Sequence, residues 1–445
     1  MMAPFFVSRA CTAACFALLL AACGEREVIL QGEREDIRPE GESLALLRAP
    51  DEENNRSRAI RLPAQRNNAE WAQSAGTQKN RVDHPVLRVA PQLVWSANIG
   101  EGDARRVRIT ADPVVAGGKV FALDSGARVT AVSTSGGTVW STDLLPTYDS
   151  EEQATGGGMA YDKGTLYVST GYGRLTALDA ATGEIRWQQK LGATGSGTPL
   201  VNDGLVYLVA GDDTAWAVDT RDGKVAWTVQ ASPSVANVLG APAPVIAGDF
   251  VVFGFGSGEL IGSFRRGGFQ RWRTTVGGGH VGKVTSRYSD LTGSPVVVGD
   301  TIYAGNHSGR ISAVSTADGE RIWTAPFGAV SPLWPAGDSV FAVTEQSQLV
   351  RLDARSGELI WARNLSAFVK EKPARRTAIY ANYGPVLAGG RLVVASNDGF
   401  LRFYAPEDGT QIATVPVPGG ATTAPVVAGG TLYVVTTTGQ LLAFR

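Results

Sequence analysis

The stretch 295–323, PVVVGDTIYAGNHSGRISAVSTADGERIW, recurs along the chain and constrains the fold more than any other feature. Alternating β-branched and aromatic residues, cut by Gly- and Asp-containing turns, read as short antiparallel strands joined by hairpins. Residues 295–298, 301–305 and 310–315 form three strands, and a fourth begins around Trp323. The same pattern starts at Pro113, Gly156, Pro199, Pro244, Pro332, Pro385 and Pro425, which makes eight copies. Six of them place a Gly four residues before a Trp: Gly136 and Trp140, Gly183 and Trp187, Gly223 and Trp227, Gly268 and Trp272, Gly319 and Trp323, Gly357 and Trp361. Successive Trp are 47, 40, 45, 51 and 38 residues apart. Four strands per unit at that period predict an all-β, eight-bladed propeller rather than a helical solenoid.

The residue types explain the pattern. A Gly before the fourth strand supplies a positive-φ turn position without a side-chain penalty. The Trp then offers a large flat ring to bury between neighbouring blades. The seventh copy departs from the rule, since Gly409 is followed four residues later by Ala413. The repeats also begin out of phase. Residues 93–97, with Trp95, look like a fourth strand lacking its first three, whereas 425–445 supply three strands and no fourth. Pairing the two halves closes the ring over 92–445 and removes a free sheet edge.

The region before the repeats differs in kind. Residues 1–22 read as a signal peptide, with Arg9 ahead of an apolar run from 10 to 22 that is too short to span a bilayer. The run ends Leu20-Ala21-Ala22-Cys23-Gly24, which resembles the lipobox of bacterial lipoproteins and implies a lipid on Cys23. All three Cys lie within the first 23 residues, so the mature chain has no disulfide and no thiol nucleophile. Residues 24–91 carry twelve acidic and eleven basic side chains. With Cys23 they read as a polar tether (23–91), mostly without fixed structure.

Chemistry is sparse. The formal net charge is −1 and no basic run or stripe stands out, which argues against nucleic acid. His84, His280 and His307 share no metal-ligand spacing. Residues 277–283, GGGHVGK, approach a phosphate loop, but Val284 stands where a Ser or Thr is needed and no helix follows. No nucleophile elbow or paired carboxylates can be singled out.

The blade sequence, as in 177–187 (ALDAATGEIRW), resembles the repeat of pyrroloquinoline-quinone-type propellers. Two groups share it: quinoprotein alcohol and sugar dehydrogenases, and the BamB family of lipoproteins of the outer-membrane β-barrel assembly machine. The resemblance to the BamB family covers the signal, the lipobox and all eight repeats. It is closest at 93–102, LVWSANIGEG, and 287–298, RYSDLTGSPVVV. The segment 24–91 is longer than the family's usual spacer and resembles alphaproteobacterial versions. This resemblance implies a scaffold without catalysis or cofactor, held by its lipid on the periplasmic side of the outer membrane. The implied partners are a BamA-like outer-membrane barrel protein with periplasmic domains and other assembly lipoproteins. Two other classes remain open at this point, a quinone-dependent dehydrogenase and a general peptide-binding periplasmic propeller. The dehydrogenases use a vicinal disulfide, a calcium-binding carboxylate cluster and a catalytic Asp, and the mature chain has no Cys pair.

In the family, the surface that meets BamA lies in two neighbouring interblade loops. The first matches 235–240 (VANVLG), with Ala243 and Pro244 beyond, and the second matches 289–292 (SDLT). The resemblance therefore implies partner-binding roles for Ala236, Val238, Leu239, Asp290 and Thr292. Leu239 stands where the family has Arg, and Thr292 where it has a second Asp. Val238 and Leu239 are expected to be exposed, with Asp290 beside them as an acceptor.

Overall fold

The computed structural model describes residues 55–445 apart from 151–152, 196, 235–240 and 281–287. The signal segment and Cys23 lie outside the described residues.

The strands form eight four-stranded antiparallel sheets. Blades 1 to 7 take 114–143, 157–190, 200–230, 245–275, 296–325, 334–364 and 382–416 in chain order. Blade 8 combines Val426–Ala428, Thr431–Val435 and Gln440–Phe444 with the first strand of the chain, Leu93–Asn98. The eight-bladed propeller and its shared terminal blade are thus as the repeats predict. First strands of adjacent blades touch one another, so they crowd the ring axis. Second and third strands are buried almost throughout, while fourth strands such as Val225–Gln230 alternate exposed and half-buried positions at the rim.

One contact repeats at seven of the eight blade junctions. Each rim-strand Trp lies flat on the Gly of the next blade's last hairpin. A Cβ on Gly183 would come within 2.6 Å of Trp140, and one on Gly223 within 2.6 Å of Trp187. Trp95, Trp227, Trp272, Trp323 and Trp361 sit in the same way on Gly136, Gly268, Gly319, Gly357 and Gly409. All these Gly have positive φ, so the residue serves both backbone and packing. Every indole N–H also donates to a carbonyl of that turn at 3.0–3.2 Å, from Trp95 to Thr134 through Trp361 to Pro406. Buried indoles need such an acceptor.

The eighth junction explains Ala413. In blade 8 the last hairpin is missing, because the ring closes there: Gln92 and Arg445 exchange backbone hydrogen bonds of 2.9 Å. With no turn there is neither a Gly to lie on nor a carbonyl to accept, so a Trp from blade 7 would have no seat. Blade 7 swaps the bulk across its own pair instead. In most other blades the Trp faces a small residue, as in Ala177 opposite Trp187, Ala217 opposite Trp227 and Gly262 opposite Trp272, although in blade 6 Trp361 faces Arg351. In blade 7 Phe403 faces Ala413.

Residues 55–91 require a correction. They were expected to be a tether mostly without fixed structure, yet they are laid across the ring and bond to it along their whole length. Asn55 brackets the rim strand of blade 6, donating to the Ala362 carbonyl and accepting from its amide, both at 2.8 Å. Arg58 reaches Asp338 and Asp353 at 2.5 and 2.6 Å. Its carbonyl accepts from the fully buried Arg351, which also bonds Pro406 and Glu407 of blade 7.

The chain then runs to the axis. Asn68 bonds Val427 of blade 8, Trp71 exchanges backbone bonds with Val115 of blade 1, and the Ala72 carbonyl accepts from Tyr161 of blade 2. Gln73 and Gln78 hold Val201 of blade 3, Gln78 and Lys79 carbonyls accept from Ile246 and Val297 of blades 4 and 5, and Asn80 donates to Ala243, Pro244 and Pro295. Trp71, 2% exposed, stacks on Trp334 of blade 6 at 6.2 Å. His84 accepts from the Gly390 amide of blade 7 through Nε2 and donates from Nδ1 to Pro63. Those two bonds select the neutral Nδ1–H tautomer. The segment is a plug that touches all eight blades. Its polar side chains satisfy backbone groups of the inner strands that would otherwise end at the mouth of the ring.

Candidate partner interface

Strands alternate direction, so the turns of a blade fall at two ends of the ring. First-to-second and third-to-fourth turns lie at one end, where the plug meets Gly337, Gly389 and Gly429. Second-to-third turns and the interblade loops lie at the other, and both candidate partner loops are interblade loops of this second end.

The two loops flank blade 4. Their inner ends meet where the Ala243 amide donates to Ser294 Oγ at 3.0 Å. A Cβ on Gly254 of blade 4 would touch Pro242 of one loop and Leu291 of the other. Ala236, Val238 and Leu239 fall in 235–240, outside the described residues. The base of that loop is clamped from two sides. Ser232 binds Glu259 through its amide at 2.8 Å and its hydroxyl at 3.1 Å. Asp213 accepts from the Ser234 amide and, with its other oxygen, from Gly256, both at 3.0 Å. Burial acts to raise the Glu259 carboxyl. The Ser232 amide, the Ser257 and Ser232 hydroxyls and the Arg273 charge outweigh it, leaving Glu259 below its ordinary value and charged.

In the second loop the structure differs from expectation. Asp290 is 3% exposed, so its carboxylate is not a surface acceptor. Leu291 forms a bridge with Asn306 of blade 5 and pulls the preceding residue inward. Thr292 is spoken for as well, its hydroxyl donating to the Ala329 carbonyl at 2.6 Å. The outward residue is Tyr288, which lies against His307 at 6.5 Å between ring centres. Sequence reasoning passed over Tyr288, although a Tyr just before the matched motif is the kind of residue that anchors interfaces. His280 pairs with a carboxylate of another blade. Its Nε2 meets Glu345 Oε1 at 2.7 Å, which fixes the start of the long loop between blades 4 and 5 to blade 6. Among the described residues no group of three or more His, Cys, Asp or Glu is placed to hold a metal ion.

A second correction concerns charge. Contrary to the absence of a basic run expected above, Lys370, Lys372, Arg375 and Arg376 lie together on the loop between blades 6 and 7, at this same end of the ring.

Known proteins agree with this architecture. Curated relatives named outer membrane protein assembly factor BamB include one from Yersinia pestis, 25% identical over 80% of this chain and 89% of its own length. Those from Burkholderia pseudomallei (27% identical; 81% of this chain, 89% of its own) and Escherichia coli (26%; 77% and 86%) are similar. Among solved structures, BamB from Moraxella catarrhalis superposes with a TM-score of 0.67 at 20% identity, over 80% of this chain and all of that one. A europium-containing methanol dehydrogenase shares the fold almost as well, with a TM-score of 0.65 at 13% identity over 85% and 98%. The fold is thus common to both groups, and sequence separates them. The family model described as outer membrane protein assembly factor BamB matches residues 125–363 and 352–445, and the chain belongs to that family.

Proposed function

We propose that this chain is a non-catalytic scaffold lipoprotein of the β-barrel assembly machinery. In this reading it is held by a lipid on Cys23 at the periplasmic side of the outer membrane. It binds a BamA-like barrel protein through that partner's periplasmic domains, works beside other assembly lipoproteins, and assists insertion of β-barrel proteins. The observation that carries the reading is membership of the assembly-factor family over 125–445. The pairing of two interblade loops around blade 4, at the end of the ring opposite the turns that the plug covers, supports the place of contact.

The contact set is revised by the geometry. In this reading the apolar residues Ala236, Val238 and Leu239 contribute to the contact, on a loop whose base is clamped at Ser232 and Ser234. Tyr288 adds an aromatic anchor, while Asp290 and Thr292 hold the second loop in shape. Interfaces concentrate their energy in a few such residues. Leu239→Asp combined with Tyr288→Asp should abolish co-purification of the barrel-assembly subunits from solubilised membranes, with circular dichroism and melting unchanged. Wild-type recovery of the partner with that variant would move the contact elsewhere.

A further inference from the structure

We propose that the basic hairpin at 366–381 is a second contact surface, and that it docks on an anionic phospholipid headgroup layer. The hairpin is built to project. Phe368 and Ile379 form an antiparallel bridge, Val369 donates to Ala378 at 3.1 Å, and Tyr380 donates to Ala367 at 2.9 Å. Its base is tied to blade 7, where Ala381 and Asn397 exchange hydrogen bonds of 2.8 and 3.1 Å. At the tip, Lys370, Lys372, Arg375 and Arg376 are all exposed, against Glu371 alone. None of the four makes an ion pair among the described residues, whereas exposed Arg such as Arg186, Arg221 and Arg266 each have a carboxylate partner. Arg376 lies over Phe368 at 4.6 Å and bonds the Glu371 carbonyl, which stiffens the tip. Val369 and Ile379 flank the cations, 46% and 66% exposed. Cations around a small apolar wedge are what an interfacial, anionic lipid surface selects. An acidic protein surface would match the charge but not the two aliphatic side chains standing in water.

A second observation favours the membrane. From Arg58 back to Asn55 the chain runs antiparallel to the rim strand Leu359–Asn364 of blade 6. The Arg56 amide bonds Ile360, and Asn55 brackets Ala362. At Asn55 the chain therefore points to the end of blade 6 from which the hairpin leaves, beginning just past Asn364. In the anchoring reading, a lipidated segment would join the ring at this point. This part rests on the anchoring reading above, whereas charge and exposure stand without it.

The test uses the mature chain with Cys23→Ser, so that no lipid contributes, and follows co-sedimentation with phosphatidylethanolamine vesicles with and without phosphatidylglycerol. Each cation near such a surface contributes about a five-fold gain in partitioning. The triple variant Lys370→Gln, Lys372→Gln, Arg375→Gln, which leaves Arg376 on Phe368, should lose roughly a hundred-fold in binding to the anionic vesicles. Arg221→Gln with Arg266→Gln, on exposed turns at the opposite end, should lose nothing. The net charge of −1 makes nonspecific adsorption a poor explanation for wild-type binding. No wild-type binding to anionic vesicles at low salt, or equal losses in both variants, overturns the proposal. Retention of the triple variant at wild-type level, or binding only to an added acidic protein, does so too. Mass spectrometry of the native N-terminus tests lipidation separately, so either reading can fail without the other.

Discussion

Trp71→Ala should release the plug without opening the ring. The indole is 2% exposed, stacked on Trp334 and seated on Gly76, whose Cβ position would lie 3.2 Å from its ring. Burying a side chain of this size and then deleting it costs about 3–5 kcal/mol. Its Nε1 finds no acceptor among the described residues, which draws the value to the lower part of that range. The remaining anchors of the plug are mostly single hydrogen bonds of about 1 kcal/mol each, so the loss falls on local opening. Trypsin cleavage at Lys79 and Arg81, followed by mass, reads that opening. When closing outpaces cleavage, the rate should rise roughly 10²–10³-fold over wild type. Arg58→Ala removes ion pairs of a guanidinium that is itself 41% exposed and should raise it far less. Equal cleavage of Trp71→Ala and wild type would refute the central role given to this residue.

Gly183→Ala forces a Cβ into Trp140 at positive φ, whereas Gly248→Ala meets nothing within 4 Å. The first should cost about 2–4 kcal/mol and the second about 1 kcal/mol in denaturant unfolding. Ala413→Trp should destabilise by about 1–3 kcal/mol through crowding against Phe403, and adding Phe403→Ala should recover only part of it, because the seam offers the indole no acceptor; melting of the single and double variants decides. Burial raises the Asp112 carboxyl to about 6, with only the Ala424 amide pulling it down. Its folded value thus lies above the unfolded one, so the native state binds more protons between about pH 4 and 6 and stability falls as pH rises through that window. Asp112→Asn should therefore stabilise the chain by about 1–3 kcal/mol at pH 7.5 and leave it unchanged near pH 4, as read by melting at the two values.

Blade number and blade boundaries were legible because they rest on short-range chemistry repeated along the chain, and the split terminal blade because that repeat starts and ends out of phase. A Gly, a strand of alternating apolar residues and a Trp mean the same thing wherever they recur. The plug was not legible for a physical reason. Its contacts run from polar side chains, such as Asn68, Gln73, Gln78, Asn80 and His84, to backbone edges of the inner strands. Composition reads such residues as solvated, and only the ring supplies the carbonyls and amides that dry them. Asp290 misled in the opposite way. Its place within a matched motif suggested exposure, but the Leu291 bridge to Asn306 decides its direction, and that pairing ties the loop to a turn of blade 5. The basic hairpin vanished into a chain whose charges nearly cancel.

The seam between Gln92 and Arg445 sets an order of events. The strand Leu93–Asn98 belongs beside Gln440–Phe444, and its partner is made only after the strands of the other seven blades. Until then the early strand has no sheet to join, and the third strand of blade 8 does not exist. Closing so long a loop adds only slowly to the entropic cost, but such distant pairing slows the search. The plug is bound by the same schedule, since its bonds reach every blade and it leads directly into Leu93. The residues that emerge first after the tether are therefore seated last. A chain cut short by a single strand would leave both of them unplaced, with polar groups bared and a sheet edge open to other chains. Ring closure thus registers that the third strand of blade 8 has been made and is in place.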